Sequence, residues 1–211
     1  MKRWMLLLLF GLFSINSLAS ATVSVRIGCK RLSLVLAPGL SPSVVNREWA
    51  SGVPRSEEPA VLELRGCKGQ LLDRLTLDAP LARLDPVPLR GAPAATYLVS
   101  VDLTQSAGSY NGPLTFPVQV VNNHLRRVVA ISSDGRMEPI HLALTGKAAW
   151  KKMSIKGIDN FLSVSCQPQD KDFVIFYRRY SPTRGGWRVH TRSVPGFWES
   201  DGEFPEIEQF P

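Results

Sequence analysis

Residues 172–192 read DFVIFYRRYSPTRGGWRVHTR. Two runs rich in β-branched and aromatic side chains, 172–180 and 187–192, flank a Ser-Pro-Thr-Arg-Gly-Gly segment, the pattern of two strands joined by a turn. At the strand period of two, Trp187, Val189 and Thr191 share one face of the second run, and Arg188, His190 and Arg192 share the other. On the first run both sides begin apolar, through Phe173, Val174, Ile175 and Phe176, and turn basic at Arg178 and Arg179. The segment therefore predicts a hairpin rooted in a core with its tip, at Arg184, in water.

The same period recurs outward from this hairpin. TVSVRI (22–27), RLSLVLA (31–37), AVLELRG (60–66), QLLDRLTLD (70–78) and TYLVSVDL (96–103) are short runs bounded by turn formers. LTFPVQVV (114–121) and HLRRVVAI (124–131) flank Asn122-Asn123, a pair suited to a tight hairpin turn. RMEPIHLAL (136–144) and FLSVSC (161–166) complete the strand candidates. The connection between 79 and 95 carries four prolines, at 80, 86, 88 and 93, which suit an edge or a crossing between sheets. Helical candidates are PSVVNREWASG, with Ser41 or Ser43 as N-cap and Gly52 as a stop, and GKAAWKKM (146–153).

The fold class expected is mainly β with antiparallel sheets. An immunoglobulin-like β-sandwich at 22–105 would precede a second β-rich domain at 110–197, with one or two short helices and a tail at 198–211. The soft boundary is the turn-rich loop TQSAGSYNGP (104–113).

Lys2 and Arg3 precede an apolar run from Met5, and Ala19-Ser20-Ala21 follows, which together fit a signal peptide at 1–21 with cleavage before Thr22. The apolar run is shorter than the roughly 20 residues that span a bilayer, and no later segment is apolar enough, so no transmembrane segment is expected in the mature chain. A periplasmic or secreted location follows, and the lack of an Asn-x-Ser/Thr sequon favours a bacterial envelope.

Export bears on the arginines. Basic and aromatic side chains so interleaved would elsewhere grip phosphates and stack on bases, but an exported protein is not expected to meet nucleic acid. Formal charge is +7 for 25 basic and 18 acidic residues, yet Glu199, Asp201, Glu203, Glu206 and Glu208 all lie in the tail. Residues 22–197 hold 23 basic against 13 acidic groups. A basic body thus ends in an acidic arm, PGFWESDGEFPEIEQFP, in which Phe-Pro occurs twice. Trp198, Phe204 and Phe210 are its candidate anchors, for a partner's groove or for the chain's own sheet. Arg178, Arg179, Arg184, Arg188 and Arg192 form the anion-binding candidate, because a planar guanidinium makes paired hydrogen bonds to oxyanions.

The three cysteines are Cys29, Cys67 and Cys166. Cys29 and Cys67 sit beside Gly-containing turns in the amino-terminal half and are the expected disulfide; Cys166 is then a buried thiol or an intermolecular partner. No GxSxG, HExxH or paired CxxC is present, and His124, His141 and His190 are widely spaced, so no catalytic residue, cofactor or metal is expected. The function that follows is a non-catalytic binding protein of the envelope recognising another envelope protein, as an inhibitor, immunity or assembly factor does. The alternatives are a binder of anionic envelope polymers through the Arg-rich hairpin, and an envelope hydrolase with an unrecognised site.

Overall fold

A computed structural model describes residues 22–51, 58–105, 108–201 and 204–211. The expected signal peptide lies outside the described residues. Four strands come first: β1 (Thr22–Ile27), β2 (Lys30–Val35), β3 (Val61–Arg65) and β4 (Leu71–Thr76). They pair antiparallel in sequence order. In such a meander alternate turns return to the same end, which brings the β1–β2 and β3–β4 turns together. The register Arg31↔Arg65 then sets Cys29 beside Cys67, and the two form a disulfide.

Between β2 and β3 lies α1 (Pro42–Glu48), where Ser41 accepts a hydrogen bond from the Val44 N–H at 3.3 Å and Pro42 occupies the first turn. Proline suits that position because its missing N–H has no partner to lose there. Val45 buries the inner face of this short helix.

The chain continues through β5 (Ala82–Leu84), β6 (Thr96–Asp102), β7 (Pro113–Val121), β8 (His124–Arg127), β9 (Val129–Ile131), β10 (Met137–Pro139), β11 (Leu142–Ala143), β12 (Ala148–Ile155), β13 (Ile158–Gln169), β14 (Asp172–Thr183) and β15 (Gly186–Pro195). A middle sheet has the order β11-β7-β6-β5, with β8 on the same edge of β7 as β11. An outer sheet has the order β10-β9-β15-β14-β13-β12. All pairs are antiparallel except β9 with β15. Asn122 and Asn123 turn β7 into β8 with φ of 50° and 68°, the left-handed values that a two-residue hairpin turn requires.

The middle sheet is covered on both faces. Tyr97, Val99 and Val101 of β6, with Phe116 and Val118 of β7, pack against Leu32, Leu34, Leu62 and Leu64 of the meander. Leu98, facing the other way, joins Leu142, Phe161, Tyr180, Trp187 and Val189 in a second core. That is why β6 is buried along nearly its whole length instead of alternating. The turn-rich loop around 104–113 joins two strands paired from Thr96↔Gln119 to Asp102↔Pro113. Each strand of the meander pairs with its sequence neighbour, whereas immunoglobulin-like sandwiches take Greek-key connections.

Two runs read as single strands change sheets midway. HLRRVVAI divides at Val128, whose N–H binds the Pro117 carbonyl, into β8 in the middle sheet and β9 in the outer one. RMEPIHLAL divides at Ile140 into β10 and β11 in the same manner. These corners bring the two sheets together over the second core.

The expected helix at 146–153 is corrected by the structure: Ala148–Ile155 is edge strand β12, paired with β13 from Ala148↔Ser165 to Ile155↔Ile158. Alanine and lysine favour helix in isolation, but pairing and packing outweigh that preference. Trp150 meets Phe161 edge-to-face at 6.1 Å, an anchor the helix would forgo. Exposed Lys151 and Lys152 suit a strand edge, where charge discourages pairing with another chain.

Candidate binding surfaces of the arginine hairpin

β14 and β15 form the hairpin read from the sequence, in the register Tyr177↔Arg192, Arg179↔His190, Tyr180↔Val189 and Ser181↔Arg188. Residues directly opposite share a face, so Arg179, Arg188, His190 and Arg192 occupy one face of the outer sheet. Arg178 pairs with Thr191 on the opposite face, toward the middle sheet, and Arg184 stands exposed in the turn. The five arginines are therefore divided three, one and one.

On the first face, Arg188, His190 and Arg192 are exposed and Arg179 is half-buried. Among the described residues no carboxylate lies within ion-pair distance of any of the five arginines. Other arginines of the chain are engaged: Arg65 and Arg74 with Glu63, Arg90 with Asp159, Arg127 with Asp78 and Arg136 with Asp134. The hairpin row is thus a positive surface that the fold leaves uncompensated.

The same face carries an apolar patch toward the other end of the hairpin, and the tail lies over it. Leu162, Val164, Ile175 and Tyr177 are buried beneath Phe210, with Trp198 and Phe204 packed alongside. Phe210 meets Tyr177 edge-to-face at 5.4 Å and stacks with Phe204 at 5.5 Å, while the Lys151 ammonium sits 4.4 Å from the Phe204 ring centre. Burial raises the Tyr177 phenol above its usual pKa, and nearby Arg192 acts against that rise.

At the start of the tail, Ser200 donates its N–H to the Gly146 carbonyl at 3.0 Å and its hydroxyl to the Thr145 carbonyl at 2.7 Å. Glu199 pairs with Lys147. Glu206 and Glu208 point to solvent, and Glu203 lies outside the described residues. Beyond the Glu199–Lys147 pair and the Ser200 hydrogen bonds, the arm is seated on its own sheet by rings.

Arg178 has a different setting. Its Nη1 donates to the Ser165 hydroxyl at 3.0 Å, and the guanidinium lies 4.9 Å from the Phe176 ring centre. It borders a cleft of about 400 Å³ between β10 and the end of β13, lined also by Glu138, His141, Ser163, Ser165 and Tyr180. A second cavity of about 390 Å³ adjoins it across Arg178 and Glu138. Burial pushes the Tyr180 phenol up to about 12, with Glu138 raising it further and Arg178 opposing. The His141 imidazole is held below its ordinary pKa, mainly by burial and then by Arg127.

Cys166 is a buried free thiol whose Sγ faces the Gly196 carbonyl at 4.0 Å. Among the described residues no group of His, Cys, Asp and Glu has the geometry of a metal site, and no helix is long and apolar enough to cross a membrane. Compared with family profiles, curated proteins and solved structures, the chain matches none.

Sequence reasoning missed Glu138, Ser163, Ser165 and Tyr180. Glu138 and Arg178 are far apart in the chain, and nothing in the run RMEPIHLAL marks the sheet change at Ile140 that turns Glu138 toward the outer sheet. One weak signal was present, since Ser163 and Ser165 alternate with Leu162 and Val164 in a run that is otherwise apolar.

Proposed function

We propose that the chain is an exported, non-catalytic binding protein of the bacterial envelope that recognises an acidic surface on another envelope protein through Arg179, Arg188, His190 and Arg192. The observation that carries this reading is the uncompensated row itself. Arg65, Arg74, Arg90, Arg127 and Arg136 meet carboxylates and Arg83 meets a ring, whereas Arg179, Arg188 and Arg192 share one face of the sheet with no carboxylate in ion-pair distance among the described residues. Arginine is suited to the role because its guanidinium is weakly hydrated and presents a planar fork to carboxylates. Export rests on the leader-like first 21 residues and on the Cys29–Cys67 disulfide, a bond that persists in oxidising compartments.

The tail takes a different part from a free partner-binding arm. Phe210 is buried on the chain's own sheet with Trp198 and Phe204 packed alongside, and Glu206 and Glu208 of the same arm are exposed. A partner carrying its own basic groups would meet those carboxylates.

The strand period favours a second reading. Arg188, His190 and Arg192 alternate along β15, which spaces successive side chains by roughly 6.8 Å, a regular array suited to an anionic envelope polymer. One experiment separates the two. Mature protein and its Arg188→Ala/Arg192→Ala variant, immobilised in parallel, capture from an envelope extract and are eluted in salt steps. A defined protein retained by the first and lost from the second supports the main reading. Retention of purified anionic polymer with a steep salt dependence supports the alternative, because screening acts on exposed charges. Equal capture by both forms would remove the arginine row from the function.

A further inference from the structure

The cleft beside Arg178 presents a second kind of recognition, unrelated to the outer row. Glu138 Oε1 is buried without any hydrogen-bond partner, in a molecule whose other acidic groups near the cores are held by backbone N–H groups or arginines. An unpaired buried carboxylate oxygen is costly, and its persistence calls for a donor that the chain does not supply. Across the same cleft, Arg178 offers N–H groups beyond the one engaged by Ser165. Glu138 and Arg178 border both adjoining cavities, yet they form no ion pair with each other. The Tyr180 hydroxyl senses both charges, and with its pKa near 12 it remains a donor throughout the neutral range.

A carboxylate and a guanidinium that face one cleft without touching restrict what fits between them. A simple anion would satisfy Arg178 and be repelled by Glu138; a simple cation would meet the reverse. We propose that the cleft is a binding site for a small zwitterion, a molecule with a carboxylate and an ammonium group, such as an amino acid or a short peptide. Arg178, steadied by Ser165, receives the carboxylate, and Glu138 receives the ammonium. The Ser163 and Tyr180 hydroxyls supply the neutral contacts between the two. A volume of about 400 Å³ suits such a ligand. The site stands whether or not the cationic row of β15 engages a protein.

Isothermal titration of the mature protein with glycine, diglycine and triglycine, alongside acetate and methylammonium, tests the assignment. At least one of the three zwitterions binds with a Kd at or below about 10 mM, a range accessible to small polar ligands, while acetate and methylammonium do not. Glu138→Gln and Arg178→Gln each weaken that binding at least about tenfold, the loss expected when one charge-assisted contact is removed. Arg126→Ala, which removes a surface charge on β8, leaves it unchanged. Amide shifts at Ser163 and Ser165 in a titration followed by NMR locate the ligand in the cleft. If Arg178→Gln fails to fold, Glu138→Gln alone decides. The assignment is overturned if none of the three zwitterions binds, if acetate binds as well as they do, if Glu138→Gln binds undiminished, or if the shifts fall elsewhere.

Discussion

Replacing Phe210 by alanine tests how the carboxyl-terminal arm is held. Phe210 is 7% exposed, and burying a phenylalanine ring is worth about 1.5–3 kcal/mol. Its edge-to-face contact with Tyr177 adds about 0.5–1.5 kcal/mol. Phe210→Ala therefore removes about 2–4.5 kcal/mol of docking free energy. In a chain of this size each kcal/mol moves the melting temperature by about 2–4 °C, so the full loss corresponds to a fall on the order of 10 °C. The arm is terminal, however, and its detachment uncovers Leu162, Val164, Ile175 and Tyr177 without requiring the sheets to open. The fall is thus capped by the docking free energy of the whole arm. Phe210→Ala and deletion of 204–211 should then lower the melting temperature by the same amount, measured by differential scanning calorimetry. Because rings seat the arm while Glu206 and Glu208 face solvent, the shift should persist in high salt. A deletion protein that melts like the full chain, together with unprotected amide exchange over 204–211 in the full chain, would refute this account.

Three further outcomes follow from the geometry. Replacing Cys29 and Cys67 by serine opens a link spanning 38 residues and should cost about 4 kcal/mol on the chain-entropy account, read from denaturant titration, while Cys166 remains the sole thiol of the oxidised wild type. Asp73 accepts a hydrogen bond from the Leu125 N–H at 2.7 Å, the largest cause of a carboxyl pKa below its ordinary value, with the Arg74 N–H and His124 also lowering it and burial opposing. Its stabilising effect is full above the unfolded pKa of about 3.9 and is lost as pH falls through the lower folded value, so Asp73→Asn should flatten the acid limb of stability below about pH 4. Lys151→Thr/Lys152→Thr removes the charges guarding edge strand β12 and should raise self-association in sedimentation velocity; a variant that stays as dispersed as the wild type would show that the edge is protected otherwise.

The sequence disclosed strands where a run alternated apolar residues with polar ones that met water. In WRVHTR the alternation is plain because Trp187 and Val189 enter the second core while Arg188 and His190 stay outside. The Cys29–Cys67 pairing was legible because both cysteines adjoin turns, and a meander returns those turns to one end. What escaped depends on pairing between distant segments. β12 reads as a helix because alanine and lysine carry no strand signal, and only its ladder with β13 fixes its form. β5 is hidden in a proline-rich connection whose Ala82–Leu84 pairs with β6. The sheet changes at Val128 and Ile140 are invisible because an apolar residue there serves either sheet equally well. The cleft inherits that difficulty, since Glu138 and Arg178 line it together only because the chain turns its corner.

The doubly covered middle sheet sets an unusual condition on strand alignment. In a sheet with one wet face, a slip by a single residue is punished because apolar side chains are thrust into water. β6 and β7 lack that safeguard, as both of their faces are dry over much of their length. What distinguishes the two sides is bulk and a hydroxyl pair. Tyr97, Val99 and Val101 fill the meander side, while Thr96, Leu98 and Ser100 face the other way, where the Ser100 and Thr115 hydroxyls meet at 2.7 Å. A displaced β6 would drive the Tyr97 ring toward the layer that holds Trp187 and strand the Thr115 hydroxyl opposite a valine. Alignment of the central pair is therefore written in volume and in one polar contact, so that Thr115→Val, a change of almost no size, bears on which partner each residue of the sheet finds.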